Sequence, residues 1–186
     1  MKKILILVYC LISVASFPQR RNKNNGYLSI TPQFGFYKGG YNAGGAVNTG
    51  VKIGKMAGIG LGVEVLKFKD VKNPYIPVYG DFRYFFAPAK GSQVFFTAQP
   101  GYGFYNQTYS ALVPLPGGGY AEQRVENKGG FYFGTGLGVR GTGKVAPIVS
   151  VRYTNYEFNN EASLAGSGIK SSARKGGVSI NFGIVF

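Results

Sequence analysis

The chain has no histidine, no tryptophan, a single cysteine, and seven acidic residues against 21 basic ones. Without histidine, a serine hydroxyl has no ordinary base near neutral pH to take its proton. That excludes His-dependent lipases, deacylases and proteases. Only carboxylate- or lysine-based chemistry survives, so a non-enzymatic protein is expected, with no catalytic residue, metal or cofactor. Cys10 lies inside an N-terminal apolar segment, and the remainder has no thiol for a disulfide framework. Tyr9 before it is too large for a lipoprotein site. Long apolar runs are also lacking: Ile4 to Val14 is the longest, too short for the ~18–20 residues of a transmembrane helix.

That run reads instead as the core of a secretory signal. Lys2 and Lys3 precede it, and Val14-Ala15-Ser16 supplies small residues for cleavage. We therefore expect a signal peptide over 1–16, a basic periplasmic segment over 17–26 and one barrel domain over 27–186. The formal charge of +14 would suit nucleic acid, but an exported chain does not meet it. Outer-membrane lipid and lipopolysaccharide phosphates are the expected anionic partners, and no nucleic acid is expected.

What is abundant is glycine and aromatics: 30 Gly, 15 Phe and 14 Tyr. They fall in runs with a period of two, which is a β pattern. Eight strands are predicted, near 27–37, 46–54, 58–68, 75–86, 93–106, 130–140, 146–157 and 176–186. Residues 55–57, 87–92 and 141–145 read as short turns; 38–45, 69–74, 107–129 and 158–175 read as longer polar loops. In the third strand Ile59, Leu61, Val63 and Val65 oppose Gly58, Gly60, Gly62 and Glu64. In the sixth, Phe131, Phe133, Leu137 and Val139 oppose Tyr132, Gly134, Gly136 and Gly138. Glycine gives a water-facing strand nothing to pack, so the glycine face is expected to line a narrow lumen and the apolar face to meet lipid. Tyr27, Tyr37, Tyr75, Phe86, Tyr105 and Phe186, near strand ends, are expected to form interfacial girdles on that outer wall. Pro32, Pro77 and Pro100 conflict with closed-sheet strands and suggest either β-bulges or misplaced strand limits.

Short turns alternating with long loops, an even strand count and the run Gly177-Val178-Ser179-Ile180-Asn181-Phe182-Gly183-Ile184-Val185-Phe186 resemble the eight-stranded outer-membrane β-barrels of the OmpA and OmpX type, and the small barrels of Bacteroidetes. The resemblance covers about residues 27–186. It implies an all-β, eight-stranded antiparallel up-and-down transmembrane barrel in the bacterial outer membrane. It also implies that Val178, Ile180, Phe182, Ile184 and Phe186 form the signal read by the barrel-assembly machinery. Unlike OmpA, no peptidoglycan-binding domain is expected after the eighth strand.

Lys52, Glu64, Asp81, Arg83 and Arg152 fall on the glycine-bearing faces, with Gln99 near mid-height. Either they line a charge-selective pore or they form a salt-bridged plug, and the small bore of eight strands favours the plug. The Gly-rich stretches are not a phosphate loop, because no helix follows them. Tyr109, Leu112, Leu115 and Tyr120 lie in the longest loop. They are either a contact surface for another envelope protein or a flap over the barrel mouth. Lys38, Lys69, Lys72, Arg124, Lys128, Lys170, Arg174 and Lys175 share that end and could meet lipopolysaccharide phosphates. The leading expectation is a structural or surface-interaction barrel. A small passive pore and an accessory subunit of a secretion or uptake complex are the alternatives.

Overall fold

The computed structural model describes residues 26–86, 92–114, 118–164 and 167–186. The expected signal peptide, most of the segment 17–26, the turn around 87–91 and Leu115 lie outside the described residues. Among the described residues nine strand segments follow one another: β1 Gly26–Tyr37, β2 Gly40–Ile53, β3 Ala57–Phe68, β4 Ile76–Phe85, β5 Ser92–Phe104, β6 Asn106–Pro114, β7 Tyr120–Gly141, β8 Ala146–Leu164 and β9 Ser167–Val185. β1 pairs with both β2 and β9, and β5 pairs with both β4 and β7, all antiparallel, so the sheet closes on itself. β5 and β6 both run along β7, one after the other. They act as one staved strand broken at Tyr105, and the ring is an eight-stranded up-and-down barrel.

Alternation sets the facing of every strand. In β3, Ile59, Leu61 and Val65 stand on the outside while Gly58, Gly62 and Glu64 are buried inside. The outer wall is apolar all round: Ile30, Val47, Leu61, Phe82, Val94, Phe96, Leu137, Val151, Ile180 and Phe182 are each 41–56% exposed. A belt of this extent has no stable contact with water and is built for lipid. The glycine face lines the lumen, where there is no room for more. A Cβ on Gly103 would lie 1.9 Å from the Tyr75 ring, which is itself fully buried. Gly103→Ala is therefore expected to destabilise by about 1–3 kcal/mol in detergent unfolding titrations. Gly45→Ala, whose new methyl meets nothing nearer than 3.7 Å, is expected to be near neutral.

Four of the six expected girdle aromatics point the other way. Tyr27, Tyr37, Tyr75 and Tyr105 are 0–8% exposed and face the lumen; only Phe86 and Phe186 stand on the outer wall. The cause is parity: Tyr27 shares a face with Ser29, Thr31 and Gln33, all buried. The outer aromatics are instead Phe34, Phe36, Tyr41, Tyr102, Phe104 and Phe131 at one end, and Tyr84, Phe86, Phe96 and Phe186 toward the other.

The prolines stand inside strands with neither bulge nor register change. At Thr31 and Pro32 the β1–β9 ladder skips from Ile30↔Ile184 to Gln33↔Asn181, while Pro32↔Gly45 is kept. At Pro77 the β3–β4 ladder stops at Val63↔Val78 and resumes with the Leu66–Tyr75 bridge. At Pro100 the β4–β5 ladder skips from Tyr79↔Gly101 to Phe82↔Ala98, while Pro100↔Phe133 is kept. Each proline lacks one N–H and interrupts one ladder only. The register shift comes elsewhere, between Gly129 and Tyr132 of β7.

The expected long loops are mostly strand. Residues 38–45 reduce to a turn between Tyr37 and Gly40, with Gly39 at φ 105°. β6 pairs with Tyr120–Lys128, and β8 and β9 continue as a hairpin to Leu164 and Ser167. β7, β8 and β9 reach 22, 19 and 19 residues, about twice what a bilayer needs. β6, β7, β8 and β9 thus rise as a four-stranded sheet beyond a rim where β1 stops at Tyr37↔Gly177. Outside lipid no face must be apolar, so these strands lack the hydrophobic alternation by which the others are recognised.

Candidate functional site: the lumen network

Side chains fill the lumen in three layers. The far layer, nearest the raised sheet, packs Tyr37, Leu66, Phe68, Tyr75, Tyr105, Tyr156 and Phe158 with Tyr79 and Tyr132. Phe68 meets Tyr37, Tyr75, Tyr156 and Phe158 edge-on at ring separations of 5.1–6.0 Å. The near layer, at the end where β1 begins and β9 finishes, packs Tyr27, Phe85, Phe95, Ala146, Ile148 and Val185.

Between them lies a polar layer. Arg152 on β8 pairs with Glu64 on β3 at 2.6 Å, with both side chains at most 4% exposed. Its guanidinium also donates to Gln99, Gln33 and Asn181, the last at 2.8 Å. Glu64 accepts from the hydroxyls of Tyr79 and Tyr132 at 3.1 and 3.4 Å. Arg83 pairs with Asp81 at 2.8 Å, two positions along β4. Asp81 accepts in addition from Tyr27, Thr97 and Gln99 at 3.0–3.1 Å. Gln99 thus joins the two ion pairs: its amide donates to Asp81 and its carbonyl accepts from Arg152. A cavity of about 20 Å³ remains between Arg83 and Arg152, room for about one water molecule.

Of the six sequence-predicted lumen residues, Glu64, Asp81, Arg83, Gln99 and Arg152 come together in this layer. Lys52 does not; its ammonium lies over the Phe85 ring in the near layer, 4.7 Å from the centroid. Sequence reasoning missed Gln33, Asn181 and Asn48, the last accepting from the Tyr79 hydroxyl at 2.8 Å, all on the lumen parity of their strands, and it missed Arg140. Arg140 stands one residue before the end of β7, on the same face as Gly138.

Val178, Ile180, Phe182, Ile184 and Phe186 share the outer face of β9 and its end, 43–56% exposed. Val185 turns inward into the near layer. The contact-loop residues separate. Tyr109 and Leu112 have opposite parity on β6, so they face opposite sides of the raised sheet. Neither they nor Tyr120 folds over the mouth: the three are 47%, 72% and 73% exposed. At the mouth itself, Lys175 covers the rings of Tyr37, Phe68 and Phe158 and pairs with Asp70. Partial burial would raise the Asp70 carboxyl, but hydrogen bonds from Lys175 and Tyr37 hold it below its usual range. The outer face of the raised sheet carries a ladder in which Arg124, Lys128, Lys170 and Arg174 pair with Glu126, Glu161 and Glu157 at 2.6–3.6 Å. The bonds from Lys128 and Lys170 lower the Glu161 carboxyl.

No protein-family model matches the chain, and no curated protein matches it. Among solved structures it is similar to the outer membrane protein AlkL, determined in lipid bilayers. The TM-score is 0.52 at 12% identity, over 92% of this chain and 94% of that one. Neisserial surface protein A aligns with a TM-score of 0.46 at 14% identity, over 86% and 94%. The N-terminal barrel of Pseudomonas aeruginosa OprF gives 0.44 at 14%, over 87% and 98%. The fold is that of the small outer-membrane β-barrels. It is one whose lumen holds a connected polar layer between two aromatic ones.

Proposed function

We propose that this is a non-enzymatic integral protein of the bacterial outer membrane whose barrel is closed to solutes and serves as an anchor. In this reading the raised sheet is its extracellular working part. The lumen carries the first half of the proposal: two ion pairs bridged by Gln99, capped on both sides by aromatic layers. Such a bore has side chains where a porin has water. Planar-bilayer recordings are expected to give no steady unitary current; a reproducible open level would favour the small passive pore.

The raised sheet supports the second half. Among the described residues its two outermost strands, β6 and the upper part of β9, pair on one side only. Leu112, Tyr120 and Ile169 are 68–73% exposed upon it. Unpaired edges and exposed apolar side chains suit contact with another envelope protein. Mild-detergent co-purification with and without residues 107–128 tests this, and an unchanged partner profile would argue for a solitary barrel.

Export and assembly follow the same reading. The outer face of β9, which closes the ring against β1, is proposed as the part read by the barrel-assembly machinery. Phe186→Ala is expected to lower insertion in cells severalfold. In detergent refolding it should lose only about 1–3 kcal/mol of packing. Equal losses in both settings would make Phe186 a packing residue alone.

A further inference from the structure

Among the described residues, no side-chain carboxylate pairs with the cations Lys52 and Arg140 at the near mouth of the barrel. Lys52 on β2 and Arg140 on β7 both approach the buried Phe85 ring, at 4.7 and 5.4 Å from its centroid. Behind them the Arg83 guanidinium lies 4.6 Å from the Tyr27 ring centre and 5.4 Å from that of Phe95. Arg83 Nη1 and Arg140 Nε are buried without a hydrogen-bond partner. All seven acidic residues are placed elsewhere. Asp81 is engaged by Arg83, Glu64 by Arg152 and Asp70 by Lys175. The other four stand on the raised sheet at the opposite end. Lys55 and Lys144 stand in the adjoining turns, exposed to water.

We propose that this mouth is a binding site for a small divalent oxyanion of the phosphate class, held between Lys52 and Arg140 over Phe85. Two surplus like charges within one apolar-walled bore repel each other, and a single divalent anion cancels both where one carboxylate cancels one. The ring attracts the cations through its face without using their N–H groups, which stay available to a ligand. An oxyanion with several acceptors matches the arginine fork, the ammonium and the orphaned donors. The cations project into the lumen, while their strand neighbours Val51, Ile53 and Val139 face lipid. A soluble phosphate therefore reaches the site directly and a lipid headgroup does not. The site lies on the near side of the polar layer and does not depend on whether the lumen conducts.

The test is calorimetric titration of the refolded barrel, in zwitterionic detergent, with inorganic phosphate against chloride at matched ionic strength. Saturable one-to-one binding is expected. It should weaken at least about tenfold in Lys52→Gln/Arg140→Gln, and stay within about twofold in Lys55→Gln/Lys144→Gln, where only screened charge is lost. Lys52→Arg should retain binding, and far-UV circular dichroism checks that each variant is folded. Should the double variant not fold, Arg140→Gln alone is expected to weaken binding severalfold. No saturable binding by the parent, or parental affinity in a folded Lys52→Gln/Arg140→Gln or Arg140→Gln variant, would overturn the site. So would binding of a short-chain phosphatidic acid but not of inorganic phosphate, because the anion would then sit on the lipid wall.

Discussion

Arg152→Ala is expected to destabilise the barrel by about 3–5 kcal/mol, read as the refolding free energy in detergent. The change removes the cation that pairs with Glu64, whose side chain is fully buried. It also strips a donor from each of the Gln99, Gln33 and Asn181 carbonyls. Glu64 would keep only the two tyrosine hydroxyls, too little to hold a carboxylate away from water. Arg83→Ala should cost less, because Asp81 keeps Tyr27, Thr97 and Gln99 as donors. Adding Glu64→Gln to Arg152→Ala should recover part of the loss, since the remaining amide carries no charge. A water-filled lumen would screen all these charges, and Arg152→Ala would then cost little. A small loss for Arg152→Ala, or a larger one for Arg83→Ala, would dissolve the buried-network account.

A charge on the outer wall is the second large effect. Leu61 is 53% exposed in the middle of β3, opposite Thr49 on β2 and Gly80 on β4. Leu61→Arg at the bilayer midplane is expected to cost about 2–4 kcal/mol when the protein folds into phospholipid vesicles. The penalty should fall to about 0–1 kcal/mol for Phe36→Arg, placed near the rim. On a barrel surrounded by water, neither substitution would matter beyond a few tenths of a kcal/mol. The depth dependence therefore measures the bilayer itself. Equal, small effects at both positions would remove lipid from the picture.

The period-two reading recovered the facing of the strands because a closed barrel makes every strand obey the same rule, lipid outside and lumen inside. Gly58, Gly62 and Glu64 lie inward and Ile59, Leu61 and Val65 outward, as their alternation required. Where position along a strand was read in place of parity, the reading failed: Tyr27, Tyr37, Tyr75 and Tyr105 fill the lumen. The raised sheet leaves no periodic mark in the sequence because its ladder rests on backbone hydrogen bonds, which any polar sequence can make. Arg140 escaped because it stands beside a turn, where alternation offers only one neighbour for comparison.

Sequence alone was enough to set the lumen against the wall, to restrict the chemistry through the missing histidine, and to place all six charged and amide groups on the lumen face. Which group meets which was decided by closure. Glu64 and Arg152 stand on strands that are not neighbours in the sheet, and Gln99 on a third. No spacing along the chain encodes those separations, because they are diameters of a ring. Their lengths are set by how many strands close it and by the tyrosines that share its bore.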